Sequence, residues 1–170
     1  TDPVRYYLLR EIPSYEDGYF SYEKFEQRYN GDLANGIGNL VARVATLGEK
    51  LSPIKFDLEK DIDSNLKEKI DNSFNEYENE MQNFRLNEAL AISWQFVSYA
   101  DKYINEKRPW ELEGEELRRV IAASSYLINE IANLLAPFLP EAAEKMQQQV
   151  SFKDSVIEIK RGEAIFPRWS

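Results

Sequence analysis

Apolar residues recur along most of this chain at steps of three and four. From Leu33 they fall at Leu33, Ile37, Leu40, Val44 and Leu47, which puts them on one face of a helix. Ile62, Leu66, Ile70, Phe74, Tyr77, Met81 and Phe84 mark a second, longer helix. A third, from about Leu86 to Ile104, carries two stripes, one of Leu86, Leu90, Val97, Ala100 and Ile104, the other of Ile92, Phe96, Tyr99 and Tyr103. Two stripes predict a central helix packed on more than one side. A fourth holds Leu117, Val120, Ile121, Leu127, Ile128, Ile131, Leu134 and Leu135, until Pro137 and Pro140 break the pattern and a short helix runs on through Met146.

The joints agree with these helices. Gly48 and Pro53 separate the first from the second, and the run from Pro109 to Gly114 separates the third from the fourth. Ser21 suits the N-cap of an earlier helix holding Tyr22, Phe25 and Tyr29. Val156-Ile157-Glu158-Ile159 is the one strand-like stretch. The predicted fold is all-α, an antiparallel helix bundle. Residues 1–20 read as a connector, residues 21–150 as the bundle, and residues 151–170 as a C-terminal tail with a short strand.

Composition narrows the chemistry. The 170 residues contain no cysteine and no histidine, which excludes disulfides, a thiolate zinc site, imidazole acid–base chemistry and nucleophiles activated by histidine. Any catalysis would rest on carboxylates, lysines or tyrosines. No phosphate-cradling GxxxxGK[ST] or GxGxxG sequence is present. No apolar run reaches the roughly 18 residues of a membrane span, and the first residues form no secretory leader, so a cytoplasmic protein is expected.

The net charge is −9, with 21 basic residues against 30 acidic ones, which argues at first against a nucleic-acid partner. Most of the excess is local. Residues 57–80 alone hold nine acidic and three basic side chains, and the remainder is near balance. Asp57, Glu59, Asp61 and Asp63 alternate as calcium ligands do, but without the glycine and closing glutamate of such a loop they read as a solvated acidic face.

Two places could carry recognition. On the helix from Leu33, Asn39 and Arg43 fall roughly 80–120° from the core stripe and, four residues apart, stack along one flank. An amide above a guanidinium offers paired hydrogen-bonding groups to a base edge or a phosphate; a solvated flank accounts for the spacing equally. After the third helix comes Lys107-Arg108-Pro109-Trp110. Proline stiffens this turn, so the indole is either a stacking platform for an unpaired base, with basic side chains beside it, or a plug for the end of the bundle.

Longer segments carry a family resemblance. Asp2-Pro3-Val4-Arg5-Tyr6-Tyr7-Leu8-Leu9-Arg10-Glu11, Asp17-Gly18-Tyr19-Phe20-Ser21-Tyr22-Glu23-Lys24-Phe25, Tyr29-Asn30-Gly31-Asp32-Leu33-Ala34-Asn35-Gly36-Ile37-Gly38-Asn39-Leu40-Val41-Ala42-Arg43, Tyr103-Ile104-Asn105-Glu106-Lys107-Arg108-Pro109-Trp110-Glu111-Leu112, Leu135-Ala136-Pro137-Phe138-Leu139-Pro140 and Ile165-Phe166-Pro167-Arg168 resemble, in order, the part of methionyl-tRNA synthetases that follows the catalytic core. The resemblance implies an anticodon-binding helix bundle that reads the CAU loop of methionine tRNA. It implies that Asn39, Arg43, Trp110 and Pro109 form the anticodon-binding site, with Lys107 and Arg108 toward the tRNA backbone. The HIGH and KMSKS motifs of the parent ligase are absent from these residues, so the chain alone is expected to be inactive and to hold no cofactor or metal. ATP and magnesium would belong to the parent enzyme. A monomer is expected, with tRNA rather than DNA or a membrane as partner. The competing readings are an anticodon domain of another class I synthetase (isoleucine, valine, leucine or cysteine) and a helical interaction module that binds no RNA.

Overall fold

The structure, a computed structural model, describes residues 1–12 and 17–169. Residues 13–16 of the expected connector and Ser170 of the expected tail lie outside the described residues. Helices dominate: α1 (Asp2–Glu11), α2 (Tyr22–Arg28), α3 (Asn39–Gly48), α4 (Leu58–Asp61), α5 (Ser64–Gln82), α6 (Leu86–Lys107), α7 (Gly114–Leu135) and α8 (Pro140–Gln149). Three short strands, β1 (Ile54–Lys55), β2 (Val150–Lys153) and β3 (Val156–Ile159), form an antiparallel sheet in the order β1-β3-β2. One hydrophobic core joins the bundle and the sheet.

Between α2 and α3 the helix does not stop. Residues Tyr29–Gly38 continue it as a wide π-helical stretch, in which the Asn39 N–H reaches back five residues to the Ala34 carbonyl. The sequence suggests two helices here, one holding Tyr29 and one from Leu33; the structure runs them together, and Leu33, Ile37 and Leu40 are fully buried and keep the stretch on the core. Ser21 does cap the run, its hydroxyl accepting from the Lys24 N–H at 3.4 Å. Such wide turns recur at functional positions, and Asn39 is the first residue after this one.

Helix α6 lies at the centre, packed by α5 and α7 along its length and by α1 and the wide turn near its middle. The Tyr6 ring sits 4.4 Å from that of Trp94. The two predicted stripes of α6 are the surfaces used: Leu90, Phe96, Val97, Ala100 and Ile104 are buried, and Ile92, Tyr99 and Tyr103 are partly so. Phe84 departs from its expected place on the second helix. That helix ends at Gln82, and Phe84 turns the chain with φ of 56° while 80% of it remains exposed.

The N-terminal helix is held at its start. The Asp2 carboxylate accepts from the Ala142 N–H at 2.8 Å and so caps α8 from the far end of the chain. Arg5 donates to the Pro137 and Phe138 carbonyls at 3.0 and 2.9 Å, where the prolines leave α7 unable to continue.

The alternating acids have structural work. Asp57 caps α4 by accepting from the Glu59 N–H, and Asp63 caps α5 by accepting from the Leu66 N–H at 2.8 Å. Asp61, with its side chain 1% exposed, accepts from the Arg118 guanidinium at 2.5 Å and ties the loop to α7. Arg118 also donates to the Lys55 carbonyl of β1 at 3.1 Å, so the sheet adjoins the same part of α7. Gly48 is required there: a Cβ would stand 2.5 Å from Ile159 Cδ1 and 3.0 Å from Ile121 Cγ2. Only β3 is legible in the sequence, because β1 is two residues long and β2 runs straight on from α8.

Tyr77 illustrates how α5 is fastened to α7. The Phe138 N–H bonds to the Leu135 carbonyl, which leaves the Leu134 carbonyl to accept from the Tyr77 hydroxyl at 2.9 Å. Burial pushes this phenol up from 10.0 to about 12. The fold favours the protonated form, so this contribution to stability is complete below pH 10, and is lost as pH rises through the folded-state value. Urea unfolding across pH about 9 to 12 should show stability falling with pH. Tyr77→Phe should lose about 1 kcal/mol at neutral pH and show a shallower fall above pH 10; an unchanged slope would remove Tyr77 from this account.

Candidate nucleic-acid interface

The C-terminal turn of α6 is built to present a side chain. Arg108 takes the left-handed conformation (φ 45°, ψ 58°), its N–H closing on the Ile104 carbonyl at 3.0 Å. Pro109 then starts a single 3₁₀ turn, Pro109–Glu111, and is itself buried. With the backbone pinned on both sides, the Trp110 ring stands at the surface, 51% exposed. It does not plug the bundle.

Arg43 projects from α3 toward the same place. Its guanidinium carbon lies 5.5 Å from the Trp110 ring centre, a cation–π contact. Its Nη1 donates to Asp101 Oδ1 at 2.9 Å and its Nη2 to Asn105 Oδ1 at 2.7 Å. Asn105 Nδ2 in turn donates to Asp101 Oδ2 at 2.9 Å. Asn39 lies one turn earlier on α3, on the same flank as Arg43, and is exposed. The structure therefore brings Arg43, Trp110 and Pro109 together, with Asn39 beside Arg43.

The two basic residues of the turn are held locally. Lys107 Nζ sits 5.6 Å from the ring centre of Tyr103, and Arg108 Nη1 is 3.4 Å from Glu111 Oε1. Tyr103 and Lys107 occupy the side of α6 roughly 200° from Asp101 and Asn105. There they line a polar cleft with Asp63, Glu116 and Arg119. Burial raises the Tyr103 phenol to about 12, with the Asp63 charge adding to it. Lys107 is thus separated from the Arg43 side by the thickness of the helix.

Asp101 and Asn105 were not singled out in the sequence. They form an i,i+4 polar pair on a flank, like many solvated pairs, and only the folded arrangement, in which Arg43 of α3 reaches across to them, reveals what they face. Among the described residues no group of three or more carboxylates converges to hold a metal ion, and no helix is long and apolar enough to cross a membrane.

An amide, a fixed guanidinium and a half-exposed indole on one surface make a place where an unpaired base could stack and have its edge read. Sequence comparison agrees in class. The family described as the anticodon-binding domain of tRNA ligases matches residues 63–166, and that of class I tRNA synthetases (M) matches residues 1–45. The chain belongs to this family of tRNA-ligase anticodon-binding domains, within the methionyl-tRNA synthetases.

The chain is 36% identical to the methionine–tRNA ligase of Clostridium acetobutylicum, an alignment covering 99% of this chain and 29% of that protein. It is 34% identical to the methionine–tRNA ligase of Bacillus subtilis, over 98% and 29%. Apo methionyl-tRNA synthetase from Mycobacterium tuberculosis is similar in structure, with a TM-score of 0.88 at 26% identity over 99% of this chain and 39% of that one. The 170 residues thus span about three-tenths of the length of these two relatives.

Because about half of the residue is already in solvent, Trp110→Ala should change the free energy of unfolding by less than about 1 kcal/mol in a urea titration. A loss of about 3 kcal/mol or more is what removal of a buried tryptophan costs, and it would restore the plug reading.

Proposed function

We propose that this chain reads the CAU anticodon of methionine tRNA for a methionine–tRNA ligase, and leaves the chemistry to other parts of that enzyme. The observation that carries the reading is the Arg43 guanidinium held over a half-exposed Trp110, beside Asn39, in a chain of the anticodon-binding family. One loop base stacks on the indole. Asn39 and Arg43 bond to base edges, and a wrong base leaves one of these groups desolvated and unpaired. Pro109 fixes the turn that aims the indole, and Arg108 beside it lies toward the loop backbone; Lys107, turned to Tyr103 on the far side of α6, is left out of that role.

In this reading the aminoacylation reaction, with its ATP and magnesium, belongs to the longer ligase. The chain acts as a monomer in the cytoplasm, and its partner is tRNA rather than DNA or a membrane. Domain roles follow the same lines: residues 1–20 connect toward the catalytic part, residues 21–150 form the reading bundle and residues 151–170 close it. The relatives at 36% and 34% identity favour methionine over another class I amino acid.

The test is a low-salt titration of the chain with two anticodon stem-loops, one carrying CAU and one a changed triplet. The CAU loop should bind at least about tenfold more tightly, and Trp110→Ala should weaken it by about 1–3 kcal/mol, the contribution of one stacked base. Equal binding of the two loops would contradict discrimination by this chain.

A further inference from the structure

We propose that Asp101 and Asn105 are positioning residues for anticodon recognition, acting through Arg43. This inference rests on the anticodon reading above and adds to it two residues that touch no base. The three side chains close a ring of hydrogen bonds. Arg43 donates to Asp101 at 2.9 Å and to Asn105 at 2.7 Å, and Asn105 donates to Asp101 at 2.9 Å.

The chemistry of the ring admits one arrangement. A guanidinium only donates and a carboxylate only accepts, so the Asn105 amide must turn its oxygen to Arg43 and its nitrogen to Asp101. Each member is oriented by the other two. The ring uses one N–H on each terminal nitrogen of Arg43 and leaves three of its five N–H groups for a ligand.

The ring is poorly placed to serve stability. The Asp101 side chain is 46% exposed and that of Arg43 25%, and ion pairs so open to solvent contribute little to folding. What the ring does is hold a long, flexible side chain in one rotamer above Trp110. The entropy of ordering Arg43 is then lost on folding rather than on binding RNA. A guanidinium free to swing would reach any nearby phosphate; one locked to two partners offers its remaining donors in a fixed direction, which a particular base edge matches. Asp101 therefore affects which loop binds more than how tightly loops bind in general.

The experiment uses the full chain in two measurements. Without RNA, the indole N–H resonance of Trp110, assigned with a Trp110→Phe variant, should shift in Asp101→Ala. Those of Trp94 and Trp169 should stay in place. With RNA, the preference for the CAU stem-loop over a changed triplet should fall by about tenfold in Asp101→Ala and by less in Asn105→Ala, while thermal unfolding stays like that of the unmodified chain. In an Arg43→Ala background the Asp101→Ala change should have no further effect, which a direct RNA contact or a merely structural role would not produce.

An unmoved Trp110 resonance with an undiminished CAU preference in Asp101→Ala overturns the proposal. So does an Asp101→Ala effect of equal size in the Arg43→Ala background. If the unmodified chain itself shows no CAU preference, the anticodon reading fails first and the positioning role falls with it.

Discussion

Helix α6 must be buried along two sides and yet end at the surface, and the rest of the molecule is arranged around that constraint. Its two apolar stripes require a neighbour each, which α5 and α7 supply. With 22 residues it spans roughly 33 Å, enough to separate the Phe84 turn at one end from the Trp110 turn at the other. Only the flank bearing Asp101 and Asn105 is left for α3 to approach with a polar side chain. Arg43 fills that place, so the proposed recognition surface is a consequence of how the central helix is packed.

The same arrangement answers the objection from charge. The acidic stretch over residues 57–80 lies in α4 and α5, which pack on the Tyr99 and Tyr103 side of α6. A helix about 10 Å across stands between it and Arg43, a distance comparable to the screening length at physiological salt. Several of those acids are also engaged at once, as caps for α4 and α5 or as the partner of Arg118. A net charge of −9 therefore says less about the Arg43 surface than its size suggests.

Much of the fold was legible because helical periodicity is a local signal. The stripes of α5, α6 and α7 needed nothing beyond their own spacing. What escaped was set by distant contacts. The helix holding Tyr29 and the one from Leu33 read as two, but Tyr29–Gly38 joins them as one continuous run, with Leu33 and Ile37 buried in the core. β1 and β2 pair only because β3 lies between them. At the candidate site, Asn39, Arg43, Pro109 and Trp110 were singled out from spacing, turn chemistry and resemblance. Asp101 and Asn105 were not, since their contact with Arg43 depends on where the fold sets α3 relative to α6. The sequence also left Trp110 open between plug and platform, and its half-exposed ring is a property of the assembled bundle.

The central claim is that RNA is read where Arg43 meets Trp110, and photo-crosslinking locates that contact most directly. A CAU stem-loop carrying a photoreactive thiouridine in the anticodon would be irradiated on the chain and the modified peptide identified by mass spectrometry. The account predicts an adduct in the peptide holding Pro109 and Trp110, suppressed by excess unmodified CAU loop. Adducts confined elsewhere, such as at the exposed Trp169 packed on Phe25 and Tyr29, would contradict it.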